Sequence, residues 1–115
     1  TLRLPRQMGW GAAHRYLLTG EFWYAEEALR TGLVQEVVAP GEQLTKAREI
    51  ATQIAKAAPL GVQGVLKSTR MAWNEGEAEA ARHLFVDMVP VMQSEDAAEG
   101  VASFMQRREA VFKGR

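Results

Sequence analysis

Ser94-Glu-Asp-Ala-Ala-Glu-Gly-Val-Ala-Ser-Phe-Met-Gln-Arg-Arg-Glu-Ala-Val-Phe-Lys-Gly-Arg115 carries the signals of a helix specified at both ends. Ser94 is a good N-cap, and Glu95 and Asp96 set negative charge on the free N–H groups of the first turn. Arg107 and Arg108 set positive charge near the last carbonyls. Ala97, Val101, Phe104 and Met105 recur at helical spacing and form one narrow apolar stripe. Beyond it the sequence runs into a ragged aromatic and basic end, Phe112-Lys113-Gly114-Arg115. A phenylalanine followed about one turn later by an arginine can stack on a flat ring and reach a phosphate from the same helix face. The plainer reading is a terminal helix docked on a core, with its basic residues solvated and serving the helix dipole.

Working outward, the rest of the chain is also helical. Pro5 can open a helix, and a helix over about 7–18 is expected with Trp10, Ala13 and Leu17 on one side. Thr19-Gly20 ends it, and a short helix follows over about 25–30, stopped by Thr31-Gly32. Leu33-Val34-Gln35-Glu36-Val37-Val38 is the one strand candidate; it is merely extended, packed over helices, or paired with chain outside this sequence. A third helix over about 42–57 turns Leu44, Ala47, Ile50, Ile54 and Ala58 inward. A fourth over about 60–74, after the break at Pro59, turns in Val62, Val65, Leu66, Thr69 and Trp73. A fifth over about 77–92 buries Ala81, Leu84, Phe85 and Met88, with Pro90 expected to kink it or end it early. The last helix makes six.

The 115 residues make one domain, with 47% hydrophobic and 24% charged residues and 14 basic groups against 14 acidic. Zero net charge gives no nucleic-acid footprint and no pull toward a membrane surface. No apolar run approaches the roughly 18 residues of a spanning helix. With no cysteine there is no disulfide, thiolate nucleophile or cysteine metal site, which fits a reducing compartment and a cytoplasmic location. The opening Thr1-Leu2-Arg3-Leu4-Pro5-Arg6 lacks an initiator Met and reads as the interior of a longer chain.

The order of residues resembles the enoyl-CoA hydratase/isomerase (crotonase) superfamily. The tail is similar to that family's Ser-Glu-Asp-Ala-x-Glu-Gly-x-x-Ala-Phe-x-x-(Lys/Arg)-Arg-x-Pro-x-Phe-x-Gly signature, with Ala110 where proline is usual, which leaves the final turn less rigid. Arg3-Leu4-Pro5-Arg6, Gly9, Ala13, Leu18-Thr19-Gly20, Ala25-x-Glu27-Ala28, Gly32-Leu33-Val34-x-x-Val37-Val38, Pro59-Leu60 and Lys67 extend the resemblance through nearly the whole chain. It implies a mainly α fold over residues 1–115: the C-terminal helical trimerisation and CoA-covering domain of a crotonase-like enzyme, with the N-terminal ββα spiral domain missing. The partners it implies are an acyl-CoA substrate and further copies of the chain in a trimer or hexamer, with no prosthetic group.

By position, Phe104 matches the family phenylalanine near the adenine and Arg107 the basic residue that meets a CoA phosphate. The family's oxyanion-hole donors and catalytic carboxylates lie upstream of Thr1. No catalytic residue is therefore assigned: Glu21, Glu26, Glu27 and Asp87 sit on polar faces or helix starts. His14 and His83 lack metal-ligand spacing, so no metal site is assigned either. Tyr24 stands where Asp or Ser would cap the short helix, losing an acceptor worth about 1 kcal/mol. Phe22-Trp23-Tyr24 is read as core packing or a subunit contact, with shaping of the acyl pocket as the alternative. From another class, a self-standing helical interaction module would need a closed core within these helices. A helix-turn-helix DNA binder would need a basic recognition helix, which is absent.

Overall fold

The computed structural model describes residues 1–115 as seven helices and no strand. They are α1 (Leu4–Met8), α2 (Trp10–Thr19), α3 (Ala25–Arg30), α4 (Gln43–Ala55), α5 (Pro59–Glu75), α6 (Glu77–Met92) and α7 (Glu95–Gln106). The mainly α class expected from the sequence is what forms, with one helix more than six. The extra element arises at Gly9, whose φ of +83° and ψ of +155° interrupt what the periodicity reads as one helix and split off α1. Gly76, with φ +99° and ψ +156°, makes the expected break between α5 and α6. Only glycine visits this region without strain, so each joint is a single residue long. No helix is long and apolar enough to cross a membrane.

The chain divides into two compact units, 1–47 and 48–115. In the first, Met8, Ala13 and Tyr16 form the buried centre, with Leu4, Ala12, Trp23 and Leu33 packed against them. The inward face of α2 thus differs from expectation: Ala13 is fully buried, but Trp10 is 75% exposed and Tyr16 takes the place given to Leu17. Trp10 instead stacks on His14, with ring centroids 4.0 Å apart. Of the aromatic run, Trp23 alone packs inward, against the Tyr16 ring at 4.9 Å, while Phe22 and Tyr24 are exposed. Tyr24 starts α3 without a side-chain cap, as its chemistry dictates.

The strand candidate does not form a strand. The N–H groups of Leu33 and Val34 both donate to the Ala28 carbonyl, at 2.8 and 3.2 Å, and so close the end of α3. Donors spent on a helix terminus are unavailable to a ladder.

In the second unit α5 and α6 form an antiparallel hairpin about Gly76. Its contact runs through small residues: a Cβ built on Gly64 would lie 3.7 Å from Val91 and 3.8 Å from Met88, and Ala80 is the buried residue of α6. Lys67 of α5 reaches Asp87 of α6 at 2.6 Å. The helix runs through Pro90 to Met92, so the proline does not end it early, although it supplies no N–H to the Val86 carbonyl one turn back.

The large apolar side chains expected inside are not covered. Neither α4 nor α5 has a buried residue, and Ile54, Val65 and Phe85 are more than half exposed. Periodicity identifies which side of a helix is apolar; it does not say that these 115 residues supply the cover.

Gly64→Ala is expected to stabilise the hairpin by about 0.5–1 kcal/mol, because the added methyl makes ordinary contacts and removes a helical glycine. Thermal denaturation checks this; a fall in Tm would mean that α5 and α6 sit closer than the structure has them.

Candidate functional site

The end of α7 and the segment that follows bring the family-matched residues together. Ser94 caps the helix as its sequence dictates, its hydroxyl oxygen accepting from the Ala97 N–H at 3.0 Å. The other end is closed by two backbone bonds. The Arg107 N–H donates to Phe104 at 3.2 Å and the Arg108 N–H to Ser103 at 3.1 Å. This 5→2 and 6→1 pair is the Schellman arrangement, which requires a left-handed residue just past the helix. That residue is Arg107, with φ +52° and ψ +42°.

Residues 107–115 then turn back along α7 as a strap rather than trailing as a ragged end. The Asp96 carboxylate, on a residue 2% exposed, accepts the N–H groups of Lys113 and Gly114 at 2.6 and 2.8 Å. Its own N–H donates to the Arg115 carbonyl at 3.1 Å. One turn on, Glu99 accepts both arms of Arg108, at 2.5 and 2.7 Å, and the Val111 N–H at 2.8 Å. Phe112 lies against Gly100, where a Cβ would meet its ring at 3.9 Å. A groove of about 410 Å³ runs between the strap (Glu109 to Phe112) and the approach to α5 (Ala55 to Pro59).

The two predicted binding residues stand at the head of this strap. Phe104 is 82% exposed and Arg107 is exposed, with no hydrogen bond or ion pair from its side chain. The stripe of Val101, Phe104 and Met105 is likewise open to solvent rather than docked on a core. An exposed ring and an unpaired guanidinium three residues apart can stack on a planar base and bond a phosphate.

Asp96 and Glu99 were legible only as charges near a helix start. Their spacing of three, which puts both on one face, and the basic tail after the helix were the signals that a return segment meets them.

Three of the acids named from the sequence, Glu21, Glu27 and Asp87, are occupied structurally. Glu27 accepts the Tyr16 hydroxyl at 2.6 Å and both arms of Arg30 at 2.6 Å. Glu21 pairs with Arg15, and Asp87 with Lys67. Hydrogen bonding from Arg30 first, then Tyr16, holds the Glu27 carboxyl down to about 2 from an ordinary 4.5. Arg108 first, then the Val111 amide, does the same for Glu99, also to about 2. No group of three or more His, Asp or Glu side chains is arranged to hold a metal ion.

A family model described as enoyl-CoA hydratase/isomerase matches residues 1–115. Carnitinyl-CoA dehydratase of Salmonella arizonae is 37% identical over 117 residues, covering 98% of this chain and 45% of that protein. The Escherichia coli K12 protein of the same name is 36% identical over 118 residues, covering 99% and 45%. Among solved structures, a probable enoyl-CoA hydratase/isomerase from Mycobacterium abscessus superposes with a TM-score of 0.86 at 46% identity, over 99% of this chain and 44% of that one. An enoyl-CoA hydratase from Mycobacterium tuberculosis gives 0.85 at 31% identity, over 99% and 45%. The chain therefore spans less than half the length of the relatives it matches.

Asp96→Ala strips the acceptor from two strap amides and is expected to cost about 2–4 kcal/mol. Hydrogen exchange should show the Lys113 and Gly114 amides losing protection first.

Acid should act through Glu27 and Glu99. Both titrate lower folded than unfolded, so the unfolded chain binds more protons as pH falls. Their contribution is present above about 4.5 and is lost as pH drops toward about 2. Melts from pH 6 to 2.5 should show Tm falling below 4.5, with a shallower fall in Glu99→Gln.

Proposed function

The chain belongs to the enoyl-CoA hydratase/isomerase family, and from that premise we propose that it is the C-terminal helical part of an enzyme acting on acyl-CoA thioesters. The reaction class is an acyl-CoA conversion in which backbone N–H groups stabilise an enolate-like intermediate and carboxylates move protons. In this reading residues 1–115 hold subunits together as a trimer or hexamer, cover CoA, and carry none of the catalytic groups. The substrate enters as the acyl-CoA itself, with no prosthetic group and in the cytoplasm.

The observation that carries the proposal is the match along all of 1–115 to proteins of which the chain covers about 45%. The apolar faces left open on α4, α5, α6 and α7 support it, since such faces call for cover from further chain or further subunits. The exposed pair Phe104 and Arg107 supports CoA contact: the ring would stack on the adenine and the guanidinium bond a phosphate. The partners of Glu21, Glu27, Asp87, Asp96 and Glu99 support a structural role for these five. The alternative, a self-standing interaction module, calls for a closed core, and only Met8, Ala13, Tyr16, Ala28 and Ala80 are buried apolar residues.

Titration of the intact protein with CoA tests the reading. Arg107→Ala should weaken binding about tenfold or more, the loss expected for one charge-assisted hydrogen bond. An unchanged Kd in both Arg107→Ala and Phe104→Ala would overturn it.

A further inference from the structure

The strap is fastened to α7 by alternate amides. The Val111 N–H donates to Glu99 at 2.8 Å and the Lys113 N–H to Asp96 at 2.6 Å. The amides of Ala110 and Phe112, which alternate with them, have no acceptor in the chain. Between Val111 and Lys113 the strap moves from Glu99 to Asp96, three helix residues or about 4.5 Å, which is more than two helical residues span. In such an extended run successive N–H groups leave opposite sides of the backbone. The bonded pair therefore marks the edge turned to α7, and Ala110 and Phe112 mark the other edge.

That second edge borders the groove of about 410 Å³ between 55–59 and 109–112. Ala110 and Phe112 are half-buried, and a half-buried N–H without an acceptor is costly. Lys56 on one wall and Glu109 on the other are exposed, and neither side chain makes an ion pair. The rest of the lining is apolar. Position 110 decides whether this edge can be used. Proline, usual there in the signature that the tail resembles, has no N–H and blunts a strand edge. Alanine supplies the donor.

We propose that the strap edge at Ala110 and Phe112 docks an extended peptide segment of a partner protein, whose carbonyls accept those two N–H groups. Donors two residues apart, about 6.6 Å along an extended backbone, match the carbonyl repeat on one edge of such a peptide. The walls specify its side chains: small apolar residues between a basic one set against Glu109 and an acidic one set against Lys56.

The test is an NMR titration of the intact protein with the blocked peptide acetyl-Arg-Val-Ala-Val-Asp-amide. The Ala110 and Phe112 amide signals should move and their hydrogen exchange should slow, with a Kd below about 1 mM. Ala110→Pro should weaken binding about tenfold or more, whereas Ala110→Gly, which keeps the N–H, should bind as the parent does. Protection of the Val111 and Lys113 amides reports whether the strap stays in place in each variant; if the proline displaces it, exchange at Ala110 and Phe112 in the parent decides. A peptide with alanine for its Arg and Asp should bind more weakly at low salt and differ little at about 0.3 M salt. Unmoved Ala110 and Phe112 signals overturn the inference, as does equal affinity in the parent and a well-folded Ala110→Pro. Equal binding of the uncharged peptide at low salt overturns the assigned chemistry. Protection of the two amides before peptide is added also overturns it: if it grows with protein concentration a second copy covers the edge, and if it does not, other parts of the intact protein do.

Discussion

The last third of the chain depends on one buried carboxylate. Asp96 sits in the first turn of α7, where the helix N-terminus favours its charge, yet it spends that charge on the amides of Lys113 and Gly114. Its own amide answers through the Arg115 carbonyl, so the two segments are joined by three hydrogen bonds around a single residue. Everything downstream of α7 follows. Phe112 lies near Gly100, where an added Cβ would make ordinary contact with its ring, and a Cβ at Gly114 would lie 3.7 Å from Pro59. Glu99 repeats the device one turn later with a guanidinium and an amide. The dense signature at the end of the sequence is thus in part a fastening, which leaves the side chains of Val101, Phe104, Met105 and Arg107 exposed.

The same economy shapes the hairpin of α5 and α6. Their contact is built from Gly64, Ala80 and the side chains that fit over them, while the bulkier Val65, Leu66 and Trp73 remain partly open. Small residues let two helices approach closely and so leave the large ones for another surface. The chain therefore has two kinds of apolar face: one closed within it, and one larger that is presented outward.

Local chemistry made much of this readable. The Ser94 cap, the breaks at Pro59 and Gly76, the glycine stops and the uncapped start at Tyr24 all follow from single residues and their immediate neighbours. What escaped were pairings that no local rule encodes. Asp96 and Lys113 are 17 residues apart, and nothing in helical periodicity brings them together. The phase of α2 was missed because hydrophobicity favours Trp10 and Leu17 over Ala13 and Tyr16, whereas packing selects size and reach. The segment 33–38 has strand-like composition, but its first amides are consumed at the end of α3 before any ladder can form. At the candidate site, resemblance singled out Phe104 and Arg107; the left-handed backbone at Arg107 carries no signal in an arginine codon's neighbourhood.

The one-residue joint at Gly76 has a consequence for how this sequence can drift. An α-helix advances about 100° per residue, so one added residue between α5 and α6 would turn the Ala80 face away from Gly64 and carry Asp87 off Lys67. The segment between Pro40 and Gln43 faces no such demand. Length variation is therefore forbidden inside the hairpin and tolerated in the connections before it, and the chain's freedom to accept insertions is set by its two shortest joints rather than by its longest loops.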